Sequence, residues 1–237
     1  MSLPLTLGAT LIGFSVLLGS AGNAPFRAPL PEAKRLLAGP AMKNANLSPA
    51  ACKAQLVAAK APVTFLRHAA GVATPTRITG PLGGITYKTA PPSVPYGIID
   101  CRLVLTLLQT APLLRSHDVV SVRIDNFYRK GAHLPRHRAK KSQHAYALAA
   151  DVVSLTLEDG TVLDVEQDFH GKIGDPVCGP EAKLSSKDPK GLALRNLACD
   201  LGRSGLFHHI LTPNHDRAHK NHLHMDIARD NHWFCVE

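Results

Sequence analysis

Along this chain the apolar residues recur with two different periods, and the switch between them marks out the elements. Residues 101–117, CRLVLTLLQTAPLLRSH, carry the clearest helical pattern, which Pro112 must kink or end. The β-branched alternation of VVSVRIDNF, residues 119–127, predicts a strand. Two further alternating runs flank Glu158, Asp159 and Gly160 in DVVSLTLEDGTVLDVEQDF, and Asp-Gly suits the positive φ of a tight hairpin turn. GLALRNLACDLGRSG, residues 191–205, reads as a helix closed by glycine, and LFHHIL and HLHMDIA follow as short strands. Upstream, Ser48 caps a short helix that starts with Pro49, PVTFLRH is a strand, and residues 71–95 are loops and short strands. The sum is an α+β domain: a small, mostly antiparallel sheet with flanking helices.

Before this pattern begins, residues 22–46 mix Pro, Ala and charge without periodicity and read as a linker, so the folded domain is expected over 47–237. Residues 1–21 belong to an apolar, uncharged run that resembles a secretory signal peptide, with Gly19 and Ala21 as the small pair before the cut. Because Lys and Arg are missing before Arg27, an uncleaved anchor or a helix buried in the core is the alternative. Nothing later has the roughly 18 uninterrupted apolar residues of a membrane span. The expectation is a monomer, without a stable membrane span after processing, in the periplasm or outside the cell.

The five cysteines agree with an oxidising compartment, since their wide spacing contains no Cys-x-x-Cys pair. The preferred pairings are Cys52 with Cys101 and two among Cys178, Cys199 and Cys235. A net charge of +9, concentrated in RKGAHLPRHRAKK at residues 129–141, implies attraction to anionic envelope polymers. That run reads as a solvated loop. It lacks interleaved aromatics and any nucleic-acid motif, which argues against DNA or RNA as the partner.

The chemistry concentrates near the C-terminus, in HDRAHKNHLHMDIA. On a strand, His222, His224 and Asp226 share one face while Leu223, Met225 and Ile227 take the other and face the core. His215 and His219 precede that strand in a loop, where solvation explains them equally well. Partners appear in SQHAYALAADVV, where His144 lies seven residues before Asp151. Two neutral imidazoles and one carboxylate on Zn2+ leave an open fourth position, the arrangement of catalytic zinc. Amide hydrolysis is its natural use.

Ser142, His144, Ala147, Ala149 and Asp151, followed by His222 and His224, resemble the Ser-x-His-x-x-Gly-x-Ala-x-Asp and His-x-His motifs of a zinc metallopeptidase superfamily. That superfamily includes D-alanyl-D-alanine carboxypeptidases, lysostaphin-like endopeptidases and the hedgehog fold. The stretch ACDLGRSGLFHHILTPNHDRAHKNHLHMDIA with a final cysteine is more closely similar to the bacterial extensin-like protein C-terminal domain family, from about Leu47 onward. The resemblance implies a hedgehog/D-Ala-D-Ala-peptidase-like fold and makes His144, Asp151 and His224 the zinc ligands. It gives His222 a catalytic or supporting place, and gives Arg129 the task of stabilising an oxyanion, with Arg136 and Arg138 as rivals. Ser142 and Asp226 would support the ligands, Asp226 through His224.

Two positions depart from the motifs. Ala147 stands for the motif's glycine, a change that matters only if the backbone there needs positive φ. Asn221 stands where relatives carry a general-base carboxylate, and an amide cannot take up a proton, so His222 would have to serve. The expected function is therefore a zinc-dependent peptidase or amidase acting on peptidoglycan peptides. The alternative is a non-catalytic, zinc-stabilised cell-envelope binding module.

Overall fold

In the computed structural model, the described residues are 25–134, 137–184 and 187–237. The leader, residues 1–21, lies outside them. Among the described residues no helix is long and apolar enough to cross a membrane.

The chain opens with short helices, α1 (Ala33–Leu36) and α2 (Pro40–Ala45), then α3 (Pro49–Ala58), where Ser48 accepts from the Ala51 amide and Pro49 opens the helix as expected. A three-stranded sheet follows, from β1 (Val63–Phe65), β2 (Pro75–Ile78) and, after β3 (Thr86–Lys88), β4 (Ile99–Asp100). Helix α4 (Cys101–Ser116) runs through the middle of the molecule. Then come β5 (Val119–Ile124), the exposed pair β6 (His133–Leu134) and β7 (His137–Lys141), the long strand β8 (Ala149–Leu157) and β9 (Val162–Asp164). The last elements are α5 (Val165–Asp168), α6 (Pro189–Ser204), β10 (His209–Leu211), β11 (Leu223–Asp226) and β12 (Cys235–Val236).

The main sheet has seven strands in the order β12-β10-β11-β8-β5-β3, with β9 hairpinned onto β8. Only its two ends, β10 with β12 and β3 with β5, pair in parallel, so the fold is α+β around a mostly antiparallel sheet. Helices α4 and α6 cover one face. Leu107, Leu114, Leu197 and Leu201 meet Val122, Val152, Leu155, Leu223 and Met225 there in one core. The alternation in β11 therefore works as read, with Leu223 and Met225 turned to the helices and His224 and Asp226 to the other face, whereas in β8 a bulge at Val153 resets the alternation so that Val152 and Leu155 both reach the core.

Three expectations need correction or narrowing. Residues 26–46 do not behave as a linker: Phe26, Ala41 and Ala45 are buried, and Asn44 donates to Thr106 at 3.0 Å and to Gln109 at 2.8 Å on α4. Small side chains in one-turn helices pack without leaving a periodic signal, so the domain begins before Leu47. Of the two outcomes expected at Pro112, the ending does not occur, since α4 continues to Ser116. The Leu108 carbonyl that loses its donor lies on a half-buried flank, while Ala111 and Leu114, on either side of Pro112, are buried and keep the segment packed. The second strand of the hairpin stops at Asp164, whose carboxylate caps the Glu166 and Gln167 amides, so Asp164, Glu166 and Asp168 do not alternate along a strand.

Two disulfides are formed, Cys52–Cys101, which ties α3 to the start of α4, and Cys178–Cys199, which ties the loop before α6 to that helix. Cys235 is a free, half-buried thiol whose pKa burial pushes up to about 12. Two disulfides suit an oxidising compartment.

Candidate metal centre

Ser142 starts the site. Its hydroxyl accepts from the His144 amide at 3.3 Å and caps a single 3-10 turn, Gln143–Tyr146. The turn ends at Ala147, which is left-handed at φ 54°, and this reversal feeds the chain into β8. The backbone at the motif's glycine position thus does require positive φ. As a result His144 is folded back over the strand that carries Asp151, and the register of β8 with β11 sets Asp151 directly opposite His224. All three side chains are buried.

Three atoms converge. His144 Nε2 lies 3.0 Å from Asp151 Oδ1 and 3.1 Å from His224 Nδ1, and His224 Nδ1 lies 3.0 Å from Asp151 Oδ1. The outward nitrogens are already engaged. His144 Nδ1–H donates to the Phe127 carbonyl at 3.1 Å, and His224 Nε2–H donates to Asp226 Oδ2 at 3.2 Å. Each neutral ring therefore aims a lone pair inward at a carboxylate oxygen. Three acceptors this close repel one another unless a positive charge sits among them.

Without a metal ion that charge is a proton. Burial would lower His224, but hydrogen bonds to Asp151 and Asp226 reverse this and push it up to about 9. Burial lowers His144 despite Asp151, and although burial would raise Asp151, the two histidines hold its carboxyl far below the usual range. The same place fits zinc: bonds of ~2.0–2.1 Å to N and O in a tetrahedron space the ligand atoms by about 3.3 Å, a few tenths more than these edges. Asp151 Oδ2 is kept apart by Asn126, which donates to it at 3.1 Å, so Oδ1 is the oxygen left for a cation.

The remaining candidates lie around this triangle. His222 Nε2 is 3.4 Å from Asp151 Oδ1, while its Nδ1–H donates to the Asn221 amide oxygen at 2.9 Å. Asn221 is exposed and acts as an orienting acceptor. Burial lowers His222 to about 4 even with Asp151 nearby, so its ring is neutral at pH 7. The Arg129 guanidinium is half exposed, with Nη2 3.9 Å from Asp151 Oδ2, and its backbone amide donates to the His144 carbonyl at 3.0 Å. Arg138 is exposed on β7, and Arg136 lies outside the described residues.

Several contributors escape sequence reasoning. His209, paired across the strands with Asp226, donates from Nδ1 to Asp226 Oδ1 at 2.8 Å, extending the chain His209–Asp226–His224. Only the register of β10 on β11 could have revealed it. Asn126 and the Phe127 carbonyl sit just past the end of β5, at a place no motif marks. His219, read as equally well solvated, has its ring 5.2 Å from that of His222 and 5.8 Å from that of His224. Away from the triangle, Asp168 accepts from the Asp164 amide and faces Lys190, and Glu166 pairs with Lys220.

Among known proteins, the family model described as Extensin-like protein C-terminus matches residues 106–236, a span that contains every residue of this centre. No curated protein and no solved structure matches the chain.

Proposed function

This chain belongs to the Extensin-like protein C-terminus family, and from that premise we propose that it is a zinc-dependent peptidase or amidase acting on peptidoglycan peptides of the cell envelope. The observation that carries the reading is the buried triangle of His144 Nε2, His224 Nδ1 and Asp151 Oδ1, with its outward nitrogens already satisfied. His144, Asp151 and His224 would hold the ion, as in the D-Ala-D-Ala carboxypeptidase and hedgehog-like superfamily that the two motifs resemble. What zinc supplies is Lewis acidity, making water nucleophilic near neutral pH and polarising a carbonyl.

The protein's own groups fill the other tasks. Neutral His222, less buried than the three ligands and fixed by Asn221, takes up a proton on the exposed side of the triangle. Arg129, partly exposed beside Asp151, offers its guanidinium to a developing negative charge. Asp226 and His209 hold His224 in the tautomer that presents Nδ1. Export to the periplasm or beyond agrees with the two disulfides, and the basic pair β6–β7, joined to the site through Arg129 and Ser142, suits an anionic polymer.

A second reading is favoured by one distance. His222 Nε2, 3.4 Å from Asp151 Oδ1 but outside the group that His144, Asp151 and His224 form, would close the coordination as a fourth protein ligand if its ring turned toward the triangle, which describes a structural zinc site in a non-catalytic binding module. Elemental analysis of the wild type, Asp151→Ala and Asn221→Asp, paired with hydrolysis of peptidoglycan fragments, separates the two. About one zinc per wild-type chain, lost in Asp151→Ala, with hydrolysis abolished by chelation, is expected of the enzyme. Zinc without hydrolysis in either the wild type or Asn221→Asp supports the binding module, and no zinc after reconstitution overturns both.

A further inference from the structure

Beside the first centre lies a second group whose arrangement a solvated loop does not explain. Asp216 opens the 3-10 turn Arg217–His219, and its Oδ1 accepts from the Ala218 amide at 2.8 Å, the His219 amide at 3.2 Å and His219 Nδ1 at 2.8 Å. That oxygen belongs to the turn. Oδ2 is the one left over, and His215 Nε2 stands 3.8 Å from it. Capping accounts for Asp216 and for the backbone of His219, but it asks nothing of His215.

His215 is nevertheless held in place. Its Nδ1–H donates to Glu237 Oε2 at 2.9 Å, which fixes the tautomer and leaves Nε2 as a lone pair turned toward Asp216. A carboxylate behind an imidazole whose other nitrogen faces a second carboxylate is the arrangement already met in Asp226, His224 and Asp151. The His215 and His219 rings stand 5.2 Å apart, and one ligand atom from each of His215, Asp216 and His219 falls within 4.8 Å of the others. These side chains are partly open to solvent, so an ion can reach them without opening the core.

We propose that His215, Asp216 and His219 form a second metal site, for a divalent ion of the zinc class, on the flank of the first. Two imidazoles and one carboxylate select zinc, copper or nickel over calcium or magnesium, which prefer all-oxygen sets. Through His219, whose ring neighbours those of His222 and His224, the second ion adds positive charge at the edge of the first site. The site does not depend on the first being occupied.

The test uses the full chain, stripped of metal and titrated with Zn2+ against a chromophoric chelator, with bound metal counted by elemental analysis. Two ions of different affinity are expected in the wild type, and one in each of Asp151→Ala, His215→Ala and Asp216→Asn. Asparagine caps a helical turn as well as aspartate does, so a loss of metal in Asp216→Asn is a loss of the ligand and not of the turn. One ion in the wild type, lost in Asp151→Ala and kept in His215→Ala and Asp216→Asn, overturns the second site and leaves the first. An ion lost in His215→Ala but kept in Asp151→Ala sustains the second site and removes the first, and a count that no variant changes overturns both.

Discussion

Ala147 offers a direct test of how the chain reversal behind His144 is held. Its methyl is fully buried against Ala69, Val72 and Tyr128, yet its backbone stands at φ 54°. Ala150, three residues on in the extended backbone of β8, is equally buried and serves as the matched control. In either position, replacement by glycine removes one buried methyl, ~0.8 kcal/mol, and frees the unfolded backbone, another ~0.5–1 kcal/mol. At Ala147 alone the change also relieves the left-handed strain on a side chain, ~1–2 kcal/mol. Urea unfolding should therefore show Ala150→Gly less stable by about 1.5 kcal/mol and Ala147→Gly within about 0.5 kcal/mol of the wild type. Equal losses in the two variants would refute the claim that this turn carries backbone strain.

Three further outcomes follow from particular contacts. The Cys52–Cys101 bridge closes a separation of 49 residues; on chain entropy its removal in a Cys52→Ala/Cys101→Ala variant should cost about 4 kcal/mol in urea unfolding, and a loss below about 1 kcal/mol would contradict this. Buried His208, whose Nδ1 accepts from the Ala228 amide, is lowered by desolvation to about 4. The unfolded chain then binds a proton that the folded chain refuses, so the contribution of His208 to stability is full above pH 6.5 and falls as pH drops toward 4, by ~1.4 kcal/mol per unit. His208→Asn keeps an acceptor without titrating and should lessen the slope of stability, read from thermal melts, across that window by ~1.4 kcal/mol per unit, leaving the share of His222, which burial also lowers to about 4; an unchanged slope would remove His208 as a contributor. Asp226→Asn, which weakens the hold on His224, should reduce zinc affinity ~10–100-fold in a chelator competition, and unchanged affinity would show that Asp226 merely fills space.

Much of the fold was legible because its signals are local. The Ser48 cap, the Asp159-Gly160 turn, the glycine end of α6 and the alternation of Leu223, Met225 and Ile227 each depend on residues within one turn or one strand. The continuation of α4 past Pro112 and the helices of residues 33–45 were not legible because packing decided them: α4 is buried along most of its length, and α2 is held by Asn44 and by the Ala45 carbonyl accepting from Arg102. Neither effect leaves a periodic trace.

For the site, the sequence by itself determined which side chains could bear a metal, since His144, Asp151 and His224 are fixed by residue type and by spacing within their own segments. Tertiary structure decided the rest. Whether three distant side chains form one centre depends on the register that sets Asp151 opposite His224 and on the reversal at Ala147 that lays His144 over the strand. Which nitrogen each ring presents depends on the Phe127 carbonyl and on Asp226, with His209 behind it. Register and tautomer arise from pairings across 80 residues of chain and from the loss of water around buried polar groups, and no local pattern of sequence encodes either.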